Sequence, residues 1–199
     1  MSEEIFDVVN EEDVVVGQAT RAEVHRRGLL HRAIHVLVFN PKGEVFLQKR
    51  SMRKDRHGGL WDSSASGHVD TGEEYDHCAV REMREEIGLV PAVPQQRLFK
   101  LSASPETDLE HVWVYRCEGD EPLKLNVDEL ETGGWFPPNK VDDWLAKNPG
   151  QFASTFRIVW TRLRRQGSTQ VSSPRRDQAF LPRARQPQAK IRRPRDVQR

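Results

Sequence analysis

The chain has 199 residues, the length of one ordinary domain with extensions. Its formal charge of +1 conceals an asymmetry: residues 166–199 hold nine Lys and Arg against Asp177 and Asp196, whereas residues 1–165 hold 22 basic and 28 acidic residues. Nothing in the acidic N-terminal stretch resembles a signal peptide, and no apolar run approaches membrane-spanning length, so a soluble cytoplasmic protein is expected.

Residues 5–9 and 14–18 read as short strands around the turn Asn10-Glu11-Glu12-Asp13. Thr20-Arg21-Ala22-Glu23 has capping-box form and starts a short helix ending near Gly28. Segments 34–39 and 44–49 flank Asn40-Pro41-Lys42-Gly43, a hairpin signal. Residues 60–66 are extended and lead to a helix over 74–87, which contains no Gly or Pro. Segments 96–103, 111–117 and 134–136 read as further strands. Pro138 opens a helix to about Lys147, and 152–165 forms a terminal helix. Strands interleaved with helices predict an α/β sandwich. The two cysteines, Cys78 and Cys117, form no metal or disulfide pattern and read as packing residues in a reduced compartment.

The chemistry is concentrated in 67–89. On the helix, Ala79, Val80, Met83 and Ile87 share one arc, and Glu82, Glu85 and Glu86 occupy the neighbouring one, because residues three and four apart meet on one face. Clustered carboxylates repel unless a cation neutralises them, and hard oxygen ligands suit Mg2+ or Mn2+ bridging substrate phosphates. Taken alone, a glutamate-rich helix is more often a solvated face. The glycines framing it change that weighting: Gly67 and Gly72 suit a tight loop, and Gly88 suits the helix C-terminus. Arg81 is placed to orient Glu82 or another carboxylate.

Gly67, Glu73, Arg81, Glu82, Glu85, Glu86 and Gly88, with Met83 and Leu89 at the apolar positions, fit the pattern G-x5-E-x7-R-E-U-x-E-E-x-G-U. Here U is a bulky apolar residue, and Met83 is a mild departure. The chain therefore resembles the Nudix superfamily, which implies an α/β/α sandwich with a mixed sheet and hydrolysis of diphosphate linkages. The resemblance implies Mg2+ (or Mn2+) on Glu82 and Glu86, with Glu85 and Glu73 as further candidate ligands. Glu85 or Glu110 is the candidate general base. Arg50 and Lys54 are candidate phosphate contacts, although a solvated basic loop is an equal reading, and Trp61 and Trp135 read more readily as buried aromatics than as site walls. Gly67, Arg81 and Gly88 support the box.

From Glu4 to Leu89 the sequence is similar to one branch, type I isopentenyl-diphosphate isomerase and its hydrolase-like relatives, through E-I-F-D-V-V-N-E-E-D, L-L-H-R-A-I-H-V-L-V-F-N, L-Q-K-R-S and L-W-D-S-S-A-S-G-H-V. His25, His31 and His68 fall where that isomerase has metal-binding histidines, with the first gap one residue shorter, and Asp108-Leu109-Glu110 falls near its acidic E-x-E element. The resemblance makes the three candidates for metal or phosphate contact; each also has an ordinary structural reading. Ser66 stands where the isomerase needs a cysteine acid, and a hydroxyl titrates far above a thiol. The box is also intact, so hydrolysis is expected over isomerisation.

The expected organisation is an N-terminal extension over 1–28, a Nudix hydrolase domain over 29–165 and a basic, disordered tail over 166–199. The tail's prolines and sparse large apolar residues cannot bury enough surface to offset ordering entropy. It could touch nucleic acid or an acidic partner; a solubilising extension is its commoner role. The expected function is Mg2+-dependent cleavage of a diphosphate linkage in a small-molecule substrate such as a nucleoside diphosphate derivative. The alternatives are an isomerase-like enzyme and a non-catalytic binding module.

Overall fold

A computed structural model describes residues 3–91, 95–120 and 122–171, with side chains as far as Gln166. Strands β1 (Ile5–Val9) and β2 (Val15–Thr20) form a separate antiparallel pair, followed by helix α1 (Arg21–Arg27). The Thr20 hydroxyl accepts from Glu23 N as the capping signal predicts, and Gly28 ends the helix at a left-handed φ of 62°. Strand β2 starts one residue later than the sequence indicates and runs to Thr20, because pairing with β1 carries Gln18, Ala19 and Thr20 opposite Asp7, Phe6 and Ile5.

The main sheet contains β3 (His31–Phe39), β4 (Val45–Arg50), β5 (Trp61–Asp62), β6 (Ala65–His68), β7 (Gln96–Leu101), β8 (Glu110–Glu118) and β9 (Leu130–Phe136). It is mixed: β3 pairs parallel with β8 and antiparallel with β4 and β6, and β4 also pairs with β9. Strand β3 begins three residues before the apolar run at Ile34. The parallel register with β8 extends back to His31 opposite Glu110 and so places two polar residues at the strand ends.

Helix α2 (Tyr75–Ile87) packs on one face; α3 (Pro138–Lys147) and α4 (Ser154–Val171) pack on the other. The period-2 alternation of β3 feeds both cores. Ile34, Val36 and Val38 meet Cys78, Ala79, Met83 and Ile87, while Ala33, Leu37 and Phe39 lie with Val141, Phe156 and Trp160. This is the expected α/β/α sandwich. Cys78 and Cys117 are buried free thiols, as their packing reading requires. Helix α4 runs six residues past 165, so the boundary expected there falls inside a helix. The remainder of the tail, 172–199, lies outside the described residues. Among the described residues, no helix is long and apolar enough to cross a membrane.

Candidate active site

The α2 helix delivers its carboxylates unequally. Glu82 and Glu86 are turned into the protein, at 9% and 1% exposure, whereas the Glu85 side chain is half exposed. The three-carboxylate face read from the helix is therefore a buried pair with an outlying third member. The reason is rotation: Glu82 and Glu86 flank the Met83–Ile87 stripe on the side covered by β6, and Glu85 lies further round toward solvent.

Each buried carboxylate has a built seat. Ser66 N donates to Glu86 Oε2 at 2.9 Å, and Gln48 Nε2 donates to the same oxygen at 3.1 Å. The Arg81 guanidinium donates to Glu82 at 2.6 Å, to Glu85 at 3.2 Å and twice to Glu73 at 2.8 and 3.0 Å. It also donates to the His68 carbonyl at 3.0 Å, which ties the box helix to the end of β6. Gly67 is required by close approach: a Cβ there would lie 2.1 Å from Glu82 Oε1. Gly88, at φ 67°, caps the far end of α2 and takes no part in the site. Burial, reinforced by the charge of Glu86, pushes the Glu82 carboxyl above the ordinary carboxylate range. Burial likewise raises Glu86, with Arg50 and the Ser66 amide opposing it. Two acids held this way favour a cation between or beside them. Gln48 Oε1 is also buried without a partner. The donor set is oxygen-rich and fits a hard divalent ion.

A second cluster lies beside the first. His25 from α1, His31 from β3 and His68 from β6 offer nitrogen atoms within 4.8 Å of one another. His68 Nε2 lies 3.1 Å from Glu110 Oε1, and His31 Nε2 lies 3.6 Å from it. The His31 Nδ1 contact with the Leu29 carbonyl, at 3.0 Å, assigns the proton to that nitrogen and turns the bare Nε2 inward. His25 Nε2 and His31 Nε2 are both buried without hydrogen-bond partners. Burial, then repulsion from the other imidazoles, pushes His25 down to about 4, and burial lowers His68 against the pull of Glu110. Burial alone would raise Glu110, but the imidazoles beside it, with His68 in hydrogen-bond contact, outweigh burial and hold the carboxylate below its usual range. Asp108 and Leu109 both take left-handed φ values, 55° and 65°, immediately before Glu110. Phe6 of β1 stacks on His31 and His68. The first 28 residues thus complete this cluster and are not a separate appendage.

One cleft takes in Gly67, His68, Arg81, Glu82, Glu85 and Glu110. Arg50 and Lys54 border it, with Lys54 paired to Glu129 at 2.5 Å. His25 and His31 open onto an adjoining hollow that shares Arg56 and Asp108. Trp61 packs on Phe136 and Trp144, and Trp135 packs on Phe46, so both are aromatic packing residues. The sequence reading missed His35, Gln48, Asp62, Arg56 and His57. Arg56 and His57 clasp Asp108 at 2.5 and 2.6 Å. The available signal for His35 was one polar residue inside an apolar strand run, at a position whose parity turns it inward.

A mixed sheet with the glutamate helix on one face, and Glu82 of that helix laid against Gly67, makes an α/β/α sandwich of the Nudix type. The chain belongs to the Nudix family: the NUDIX domain model matches residues 29–156. It is 31% identical over 162 residues to isopentenyl-diphosphate Delta-isomerase 2 of Photorhabdus laumondii, covering 79% of this chain and 90% of that one. It is 33% identical over 166 residues to an uncharacterized Nudix hydrolase of Streptomyces coelicolor, covering 82% and 90%. A crystal structure from Deinococcus radiodurans superposes with a TM-score of 0.69 at 27% identity, over 80% of this chain and 98% of that one.

Proposed function

We propose that this chain is a Mg2+-dependent hydrolase of diphosphate linkages, with the metal held by Glu82 and Glu86 and with Glu85 and Glu73 at its margin. The observation that carries the reading is the buried Glu82–Glu86 pair, seated by Arg81, Ser66 N and Gln48, with Gly67 left bare so that Glu82 can lie against the loop. Mg2+ bound there would supply charge neutralisation to the diphosphate and lower the pKa of a nearby water. The chain's own residues do the rest. Arg81 fixes the direction of Glu82, and Arg50 and Lys54 meet phosphate oxygens. Arg50 Nε is buried and unpartnered, as a donor awaiting an anion would be. Glu85, half exposed and only loosely held by Arg81, is free to take a proton from water. Glu110 is the weaker base, because the imidazoles stabilise its anion and so depress its basicity.

Nudix hydrolases and isopentenyl-diphosphate isomerases both occur among the relatives, and Ser66 is the residue that favours hydrolysis. Its Oγ lies 3.5 Å from Asp62 and 3.4 Å from Arg50, and an alcohol hydroxyl is a far weaker acid than the thiol an isomerase needs at that place. The test is a screen of purified protein with Mg2+ against a library of diphosphates, scored by release of phosphate or nucleoside monophosphate. Interconversion of isopentenyl and dimethylallyl diphosphates without cleavage would overturn the reading.

The orphaned nitrogens of His25 and His31 support a second metal position formed with His68 and Glu110. Three imidazoles and one carboxylate suit Zn2+, Mn2+ or Fe2+ better than Mg2+. His31→Ala should remove one equivalent of bound Mn2+ or Zn2+ from the protein; unchanged metal stoichiometry refutes that position.

A further inference from the structure

The N-terminal hairpin presents a strand edge that the described fold leaves uncovered. Among the described residues β2 pairs with β1 alone, so the N–H and C=O groups along its other side have no strand beside them. Of the seven large apolar side chains exposed among the described residues, four stand on this hairpin: Ile5, Val14, Val15 and Val16, the last at 63%. Proteins ordinarily blunt such an edge with a lysine, a proline or a bulge that turns it away. Strand β2, Val-Val-Gly-Gln-Ala-Thr, holds no charge and no proline. The edge is also held ready. Asn10 Oδ1 accepts from Glu12 N at 3.1 Å and from Val14 N at 2.8 Å, Arg32 fixes Asp13 at 2.6 Å, and Thr20 at the far end caps α1. A strand anchored at both ends loses little freedom when another strand pairs with it. Gly17, inside the strand, is open: a Cβ built there meets nothing within 4 Å. A glycine inside a strand often marks a place where another backbone approaches closely.

We propose that β2 is the interface of a homodimer, in which two copies pair their β2 strands antiparallel about a twofold axis and join the two hairpins into one four-stranded sheet. The occupant is a second copy because the charges fit. Glu11, Glu12 and Asp13 precede the strand, and Arg21, Arg26 and Arg27 follow it against Glu23. Antiparallel pairing of identical strands brings the acidic end of each copy to the basic end of the other, whereas parallel pairing would set like charges side by side. Around the axis the valines meet, so the copy itself supplies the uncharged, β-prone partner that this edge requires. The contact is isologous: it closes at two chains and covers both edges without propagating into a fibre. A single pair of six-residue strands is at the small end of specific interfaces, so the dimer is weak, with Kd on the order of 10 μM. The inference is independent of the diphosphate reading. Its consequence still reaches the cleft, since Phe6 of β1 stacks on His31 and His68, and α1, which follows β2 directly, carries His25.

The experiment is sedimentation equilibrium of the full chain from about 1 to about 500 μM, beside the variants Val16→Lys and Val16→Glu. The wild-type weight-average mass should rise from one chain toward two across that range. Each variant sets like charges close together across the twofold axis and should raise Kd at least about tenfold. An equimolar mixture of the two variants should recover to within about threefold of wild type, because lysine then meets glutamate across the axis. Val16 is exposed, so both variants should keep the wild-type thermal transition. Gln18→Lys and Gln18→Glu, at another exposed position of the same strand, carry the test should the Val16 variants not fold. A wild-type chain that stays monomeric throughout overturns the proposal. So does a dimer that the folded variants leave unweakened, or a mixture that associates no more tightly than either variant alone.

Discussion

Gly67→Ala isolates the metal seat. A Cβ at position 67 would stand 2.1 Å from Glu82 Oε1 and 2.2 Å from its carboxyl carbon, against an ordinary non-bonded separation of about 3.5 Å. The overlap of about 1.4 Å cannot be absorbed as van der Waals strain, so one partner moves. The atoms met are the far end of a flexible side chain, and the backbone at Gly67 is outside the left-handed region, so alanine imposes no backbone strain. The carboxylate therefore gives way and its 2.6 Å bond from Arg81 is lost or bent. Displacing a positioned group by about 1 Å costs on the order of 10²-fold in rate, about 2.7 kcal/mol of transition-state stabilisation. Mn2+ affinity, read by electron paramagnetic resonance, should weaken about 10- to 100-fold. The thermal midpoint should move by no more than about 3 °C. Unchanged Mn2+ binding would refute Glu82 as a ligand, and outright unfolding would show that the side chain is not the part that yields.

Glu86→Gln removes charge at nearly constant shape and should abolish turnover of any substrate the screen returns while leaving the fold intact; residual wild-type rates would remove Glu86 from the metal site. Asp13 takes Arg32 Nε at 2.6 Å together with a close contact from Lys100, and although burial alone would raise it, these partners hold its carboxyl below the usual range. Because the folded value is depressed, its contribution is present above the unfolded value of about 3.9 and is lost as pH falls through the folded one. Asp13→Asn should therefore cost about 2 kcal/mol at neutral pH and progressively less below about pH 4, as followed by urea unfolding; a pH-independent difference would contradict the ion-pair account. Deleting residues 172–199 should preserve both the thermal transition and turnover, since that stretch carries few large apolar residues; loss of either would show that it packs on the domain.

Much of this molecule is written in local patterns. The alternation of 34–39, the capping signals at Thr20 and Gly28 and the stripe of Ala79, Met83 and Ile87 each depend on neighbours a few residues away, and the sandwich follows from them. The box is legible for the same reason, since its spacing lies on one helix and one loop. Which carboxylates face inward is not legible: a helical wheel places Glu82, Glu85 and Glu86 on one arc, and only the approach of β6 buries two and leaves the third at the surface. His25 was recognisable by resemblance, but nothing in its seven-residue helix foretells that the Phe6 strand folds it against His31 and His68. His35, Gln48 and Asp62 read as ordinary strand residues, and their importance comes from β3, β4 and β5 lying side by side, which brings His35 and Asp62, 27 positions apart, to one cleft and sets Gln48 against Glu86. Period and spacing are short-range properties of a chain and fix its elements; a buried polar group acquires its meaning from whatever distant segment does, or does not, satisfy it.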